Sequence, residues 1–209
     1  MLVERLRGYG FEVSTEELFT ATLAGSLLAR VAGYRCVSPF MPEPALQDMA
    51  ELELAGGTSN RPRGCVPQAV IVGDLGERWS YALLQEAFEY IMAGAELIAL
   101  SRDRYWLNQD GLALDAGPFV AALEFATGKS AMVAGKPSPS FYVAALQSLE
   151  VGPADSVAMI GDDLWSDVEG AQRAGLQGWL VRTGKYRETA LTESGILPDR
   201  ILESVAELG

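Results

Sequence analysis

Short apolar runs alternate with helix-patterned stretches along this chain. Ala69–Val72 and Glu96–Leu100 read as strands, and the short apolar runs Ala131–Ala134 and Ser156–Ile160 as buried ones. Tyr34–Val37 reads as a further strand. Between them the spacing predicts helices over Glu43–Leu54, Ser80–Met92, Gly117–Ala126 and Pro139–Leu149. Ser14-x-x-Glu17 is a capping box and predicts a helix running from there to about Val31. Residues 1–10 read as a helix end stopped by Gly8 and Gly10, and Gly56–Gly64 as a loop. Alternating strands and helices predict layered α/β architecture, without internal repeats or low-complexity tracts.

The chemistry concentrates where one of these strands ends. Ser156–Ile160 leads into Gly161-Asp162-Asp163-Leu164-Trp165-Ser166-Asp167. Carboxylates therefore project from the C-terminal end of a buried strand, where open α/β sheets bind ligands. Oxygen donors of this kind suit Mg²⁺, which takes one or two carboxylates and completes its shell with water and phosphate oxygens. Upstream, Ala131–Ala134 ends in Gly135-Lys136-Pro137. One strand-helix-strand unit separates Lys136 from Asp162, so a right-handed crossover would put both on the same sheet edge. A cation beside carboxylates is what phosphoryl chemistry needs.

Each residue also has a structural reading. Asp162 either holds metal or caps the following helix. Asp163 either supports the metal site or caps. Asp167 orients Lys136 or a metal-bound water, or favours the helix N-terminus electrostatically. A lysine before proline is ordinarily a solvated loop residue, but its place at a strand end favours Lys136 as a phosphate-binding cation.

Composition removes alternatives. The chain of 209 residues has no histidine, which excludes histidine phosphatases, Ser-His-Asp triads and His-ligated zinc. A net charge of −12 argues against nucleic acid as a partner and makes an anionic substrate depend on a local cation. Thr127-Gly128-Lys129-Ser130 fails the P-loop spacing because residue 123 is Leu. Neither Cys36 nor Cys65 has an Arg six residues on, which excludes a Cys-x5-Arg loop; the two could pair but do not make a disulfide framework. Apolar runs are too short to span a membrane, and the expected compartment is the cytoplasm. Trp79, Tyr81, Phe88 and Tyr90 read as core aromatics of one helical region rather than as a substrate clamp.

Gly135-Lys136-Pro137 with Gly161-Asp162-Asp163-x-x-x-Asp167 resembles the third and fourth motifs of the haloacid dehalogenase superfamily. Gly117-Pro118-Phe119, Ala126-Thr127-Gly128 and Thr183-Gly184-Lys185-Tyr186-Arg187 extend the resemblance to its NagD-like capped phosphatases. The resemblance implies a Rossmann-like core with an inserted α/β cap. The expected division is a core remnant over residues 1–18, a cap over 19–125 and the C-terminal part of the core over 126–209. It implies Mg²⁺ as cofactor, a small phosphorylated substrate, Asp162 and Asp163 at the metal, and Lys136 and Asp167 as catalytic residues. The cap would offer a surface for homodimerisation.

In that family an Asp of an Asp-x-Asp motif attacks phosphorus, a second Asp protonates the leaving group, and water cleaves the aspartyl-phosphate. No such motif, and no second motif ending in Thr or Ser, is found in these 209 residues. The resemblance thus implies a phosphohydrolase that is N-terminally truncated and inactive as given. The alternative is a shortened, non-catalytic form acting as a binding or regulatory protein. The family's first strand pairs beside the Ser156–Gly161 strand, whose apolar edge is otherwise open to aggregation. The 209-residue chain alone is therefore expected to be poorly soluble or partly unfolded in its core. A cooperative thermal melt followed at the amides of that strand would contradict this.

Overall fold

A computed structural model describes residues 2–59, 61–62, 64–108, 110–151 and 156–208. The chain divides into two units, Met1–Gly135 and Lys136–Gly209.

In the first unit, α1 (Leu2–Gly8) and α2 (Ala21–Val31) precede β1 (Cys36–Phe40). A 3₁₀ helix over Glu43–Met49, β2 (Glu53–Leu54) and β3 (Ala69–Val72) follow. Then come α3 (Tyr81–Met92), β4 (Glu96–Ala99), the hairpin β5 (Tyr105–Asn108) and β6 (Gly111–Leu114), α4 (Ala116–Thr127) and β7 (Met132–Val133). Five strands form one sheet in the order β2-β1-β3-β4-β7, and every pairing is parallel. Alternation along the central strands fills both faces. Ala69, Ile71, Ile98 and Leu100 pack with Val37, Met49 and residues of α2. Val70, Val72, Leu97 and Ala99 pack with Ala87 and Ile91 of α3 and Val120 and Leu123 of α4. A parallel sheet covered on both faces needs near-continuous apolar strands, which is why β3 reads Ala-Val-Ile-Val.

Caps set the helix starts, and one differs from the sequence reading. Glu17 does accept the Ser14 amide at 2.9 Å, as half of a capping box. The helix nevertheless begins at Ala21, because Thr20 Oγ1 accepts the Leu23 amide and takes the N-cap role. The expected Glu43–Leu54 helix is instead a 3₁₀ turn plus β2, since Leu54 pairs with Val37 and extends the sheet. The β5–β6 hairpin goes unpredicted. Trp79 lies just before α3, stacked between Phe40 at 5.9 Å and Phe119 at 4.8 Å. Phe88 and Tyr90 pack on the core, but Tyr81 is 82% exposed and belongs to the surface. Among the described residues, no helix is long and apolar enough to cross a membrane.

In the second unit, α5 (Pro139–Ser148) leads to β8 (Ala158–Gly161). A π-helical turn over Leu164–Glu169 runs into α6 (Gly170–Arg173). β9 (Gln177–Val181), α7 (Glu188–Ser194) and β10 (Arg200–Leu202) complete it. Its sheet is parallel in the order β10-β9-β8. Tyr142, Ala171 and Leu176 centre one apolar cluster, and Leu164, Val168 and Leu180 a second. Among the described residues β8 pairs with β9 alone, and all four of its residues are only half-buried.

The sequence reading of a common sheet for the two site-bearing strands is corrected here. β7 pairs with β4, with Val133 opposite Ala99, whereas β8 pairs with β9. Burial explains the choice: Met132 and Ala131 pack on the two clusters of the first unit's sheet.

Cys36, in β1, and Cys65 form a disulfide with Cα atoms 6.3 Å apart. The bond ties the loop before β3 to the first strand. Closing a loop of 29 residues is worth about 3–4 kcal/mol in the chain-entropy account. Replacing both cysteines by Ser should lower stability by about that amount, read as an earlier urea midpoint in the first unit's unfolding. An unchanged midpoint would show that the tether contributes nothing.

Candidate active site

All four residues singled out from the sequence lie in the second unit, at and just beyond the C-terminal end of β8 or at the start of the unit. Asp167, on the π-helical turn, is 4% exposed. Its Oδ1 accepts a hydrogen bond from Lys136 Nζ at 2.6 Å, and its Oδ2 accepts the Asp163 amide at 3.1 Å. A buried carboxylate is tolerable only when paired and hydrogen-bonded, and both oxygens meet that requirement. Lys136 stays 37% exposed at its side chain, so its ammonium is oriented from below yet reachable. Of the roles open to Asp167, the geometry favours orienting Lys136.

Glycine makes this arrangement possible. A Cβ at Gly161 would overlap the Asp167 carboxylate and lie 2.6 Å from the Asp167 Cβ, well inside contact distance. The missing side chain is what lets Asp167 pack over the strand end. Gly170 is similar, since its Cβ would lie 2.7 Å from Tyr142 Oη and 2.9 Å from Pro137 Cβ. Tyr142, 2% exposed, donates its hydroxyl to the Ser166 carbonyl within the turn. Burial, and then the Asp167 and Asp163 carboxylates, hold its phenol well above the usual range, so it remains a donor.

Of the two neighbouring carboxylates, Asp163 takes the capping role. Its Oδ1 accepts the Trp165 and Ser166 amides at 3.1 and 2.9 Å, while Oδ2 faces Lys185 Nζ at 3.1 Å. Burial works to raise its pKa. The Ser166 amide, the Lys185 ammonium and the Trp165 amide outweigh that and hold it below the usual carboxylate range. Stability from this cap is present above the carboxyl's unfolded pKa and is lost as pH falls through the lowered folded value.

Asp162 is placed differently. Its Oδ2 accepts the Lys185 amide at 2.7 Å, and among the described residues Oδ1 has no protein donor. The loop that delivers this amide depends on Gly184, which has φ +54° and whose Cβ would lie 2.9 Å from Asp162 Cγ. Lys185, quoted in the sequence only as part of Thr183–Arg187, thus touches both carboxylates. Its own signal was a cation after a tight glycine turn at the end of a strand, β9, that neighbours β8.

The donor set fits Mg²⁺ of the low-carboxylate kind. Among the described residues no three His, Cys, Asp or Glu side chains cluster as an all-protein cage. Mg²⁺ does not require one, because it keeps several waters and binds through one or two carboxylates. Asp162, half-buried and with one oxygen free of protein donors, suits that role. Asp163, expected from the sequence beside it at the metal, has amides at Oδ1 and an ammonium at Oδ2 in this arrangement.

Comparisons with known proteins point to one family. A family model described as HAD-hydrolase-like matches residues 133–208, which hold every residue just discussed. Haloacid dehalogenase-like hydrolase domain-containing protein 2 of Rattus norvegicus is 43% identical over 187 residues, covering 89% of this chain and 67% of that protein. The human phospholysine phosphohistidine inorganic pyrophosphate phosphatase is 36% identical over 209 residues, covering 99% of this chain and 73% of that protein. The structure of a glycerol phosphate phosphatase from Mycobacterium tuberculosis in complex with magnesium superposes with a TM-score of 0.85 at 28% identity, over 99% of this chain and 62% of that one. With relatives this similar over most of their length, and a lysine held by a buried aspartate beside a strand-end carboxylate, the chain belongs to the haloacid dehalogenase-like hydrolases.

Proposed function

We propose that this chain carries the phosphate- and metal-binding part of a Mg²⁺-dependent phosphohydrolase site. The observation that carries the reading is the Lys136–Asp167 pair, set in the same unit as the open oxygen of Asp162. Lys136 binds a substrate phosphate oxygen and offsets charge on the transferring group. Asp167 holds that ammonium in place through Oδ1, while its Oδ2 takes the Asp163 amide. Asp162 holds the metal. When bound, Mg²⁺ supplies charge neutralisation to the phosphoryl oxygens. Asp163 organises the turn that brings Asp167 into position.

In this reading residues 19–125 form the cap and residues 126–209 the C-terminal part of a Rossmann-like core, with residues 1–18 as a core remnant. The substrate class is a small phosphorylated molecule. Phosphoamides and pyrophosphate are the first to test, since the human relative's name specifies such substrates. A homodimer would form through the cap, and the setting would be the cytoplasm.

No Asp-x-Asp motif is present in the 209 residues, and the remaining groups supply electrostatics without a nucleophile. The purified 209-residue protein should therefore show no Mg²⁺-dependent release of inorganic phosphate from p-nitrophenyl phosphate or pyrophosphate. Turnover well above a Lys136→Met control would overturn this. Gly161→Ala should cost about 1–3 kcal/mol of stability by overpacking Asp167. It should also release Lys136, seen as loss of the Lys136 Nζ–Asp167 contact in a crystal structure or by NMR. An unperturbed pair in the variant would show that the glycine is not what seats the carboxylate.

A further inference from the structure

The end of β8 holds two adjacent carboxylates, yet among the described residues only one has an oxygen without a protein donor. Lys185 is responsible for the difference. Its main-chain amide fixes Asp162 Oδ2 at 2.7 Å, and Oδ1 has no protein donor among the described residues. Its ammonium lies 3.1 Å from Asp163 Oδ2, the one oxygen of Asp163 that the helix cap does not use. The Lys185 side chain is 38% exposed and the Asp163 side chain 18% exposed, so the pair sits in partly screened surroundings where a unit charge still acts on its neighbours. Gly184 lets the loop approach this closely, since any side chain there would strike Asp162.

We propose that Lys185 sets the number of carboxylates this site offers to a divalent cation, and thereby its affinity. With Lys185 in place, Asp162 is the carboxylate available and Asp163 is held as a helix cap and counter-ion. Without the ammonium, Asp163 Oδ2 is released while Oδ1 keeps the cap, and the site gains both a ligand oxygen and a net negative charge. The two parts of Lys185 thus have separable effects: the amide orients Asp162 in any side-chain variant, and the ammonium alone restrains Asp163. This inference rests on the Mg²⁺ reading above and adds what limits the metal's affinity.

The test is a double-mutant cycle read by isothermal titration of Mg²⁺ into the full 209-residue protein, with no substrate present. Lys185→Met should tighten Mg²⁺ binding by roughly tenfold, as expected for removing a nearby positive charge and freeing one oxygen. Asp163→Asn should change affinity little on its own, because Asn preserves the cap and Asp163 is not yet a ligand. In the Lys185→Met background the same change should erase the gain, giving strong coupling between the two positions. Lys185→Arg keeps the charge and should bind like the unaltered protein, which separates charge from loop damage. Equal affinity in the unaltered protein and Lys185→Met, or a gain that survives Asp163→Asn, would overturn the proposal while leaving Asp162 as metal ligand. Asp162→Asn that binds Mg²⁺ as well as the unaltered protein would instead overturn the metal reading itself, and absence of binding in every variant would overturn both.

Discussion

The buried charge on Asp167 is the constraint around which the second unit is organised. An isolated carboxylate at that depth would cost several kcal/mol, and removing one partner of a buried pair typically costs about 3–5 kcal/mol. The surroundings are arranged to avoid that cost. Lys136 and the Asp163 amide satisfy the two oxygens, Gly161 leaves room beneath them, and Tyr142 secures the turn from its other side through the Ser166 carbonyl. π-helical turns are rare, and many occur at functional sites, consistent with a segment shaped by what it must present.

In a chain this acidic, an anionic phosphate substrate would need positive charge placed locally. Net charge of −12 repels such a substrate at long range, and that repulsion is damped beyond about 8 Å at physiological ionic strength. Within that distance the local groups decide. Lys136 and Lys185 each sit against an aspartate, and with Asp162 beside Lys185 the formal count is three carboxylates to two ammonium groups. The ion pairs leave the site formally acidic, and a divalent cation held at Asp162 would reverse that sign.

Much of this was readable from the chain because the relevant signals are local. β3 and β8 are continuous apolar runs, and Lys136, Asp162, Asp163 and Asp167 stand at fixed offsets from strand ends. What escaped was non-local. Nothing near Met132 and Val133 states that they pair with β4, because that choice depends on clusters that include residues as distant in sequence as Ala21 and Ala29. Thr20 outcompetes the Ser14 capping box for the same reason, having Asp48 as a distant acceptor for its hydroxyl at 2.5 Å. The division of labour between Asp162 and Asp163 was also hidden, since it is decided by a loop two dozen residues downstream.

The strand order of the first unit reverses direction between β1 and β3, the topological position where open α/β sheets form a ligand crevice. Here the protein's own chain fills it. Thr58 Oγ1 binds the Met41 amide at 3.0 Å and the Pro39 and Met41 carbonyls at 3.0 and 2.6 Å, and Gly57 packs against the Pro39 main chain. The sheet beneath is closed on both faces, and the same loop runs on to Cys65, which is bonded to β1. A change in this loop therefore reaches the first strand, through hydrogen bonds and a disulfide, rather than staying at the surface.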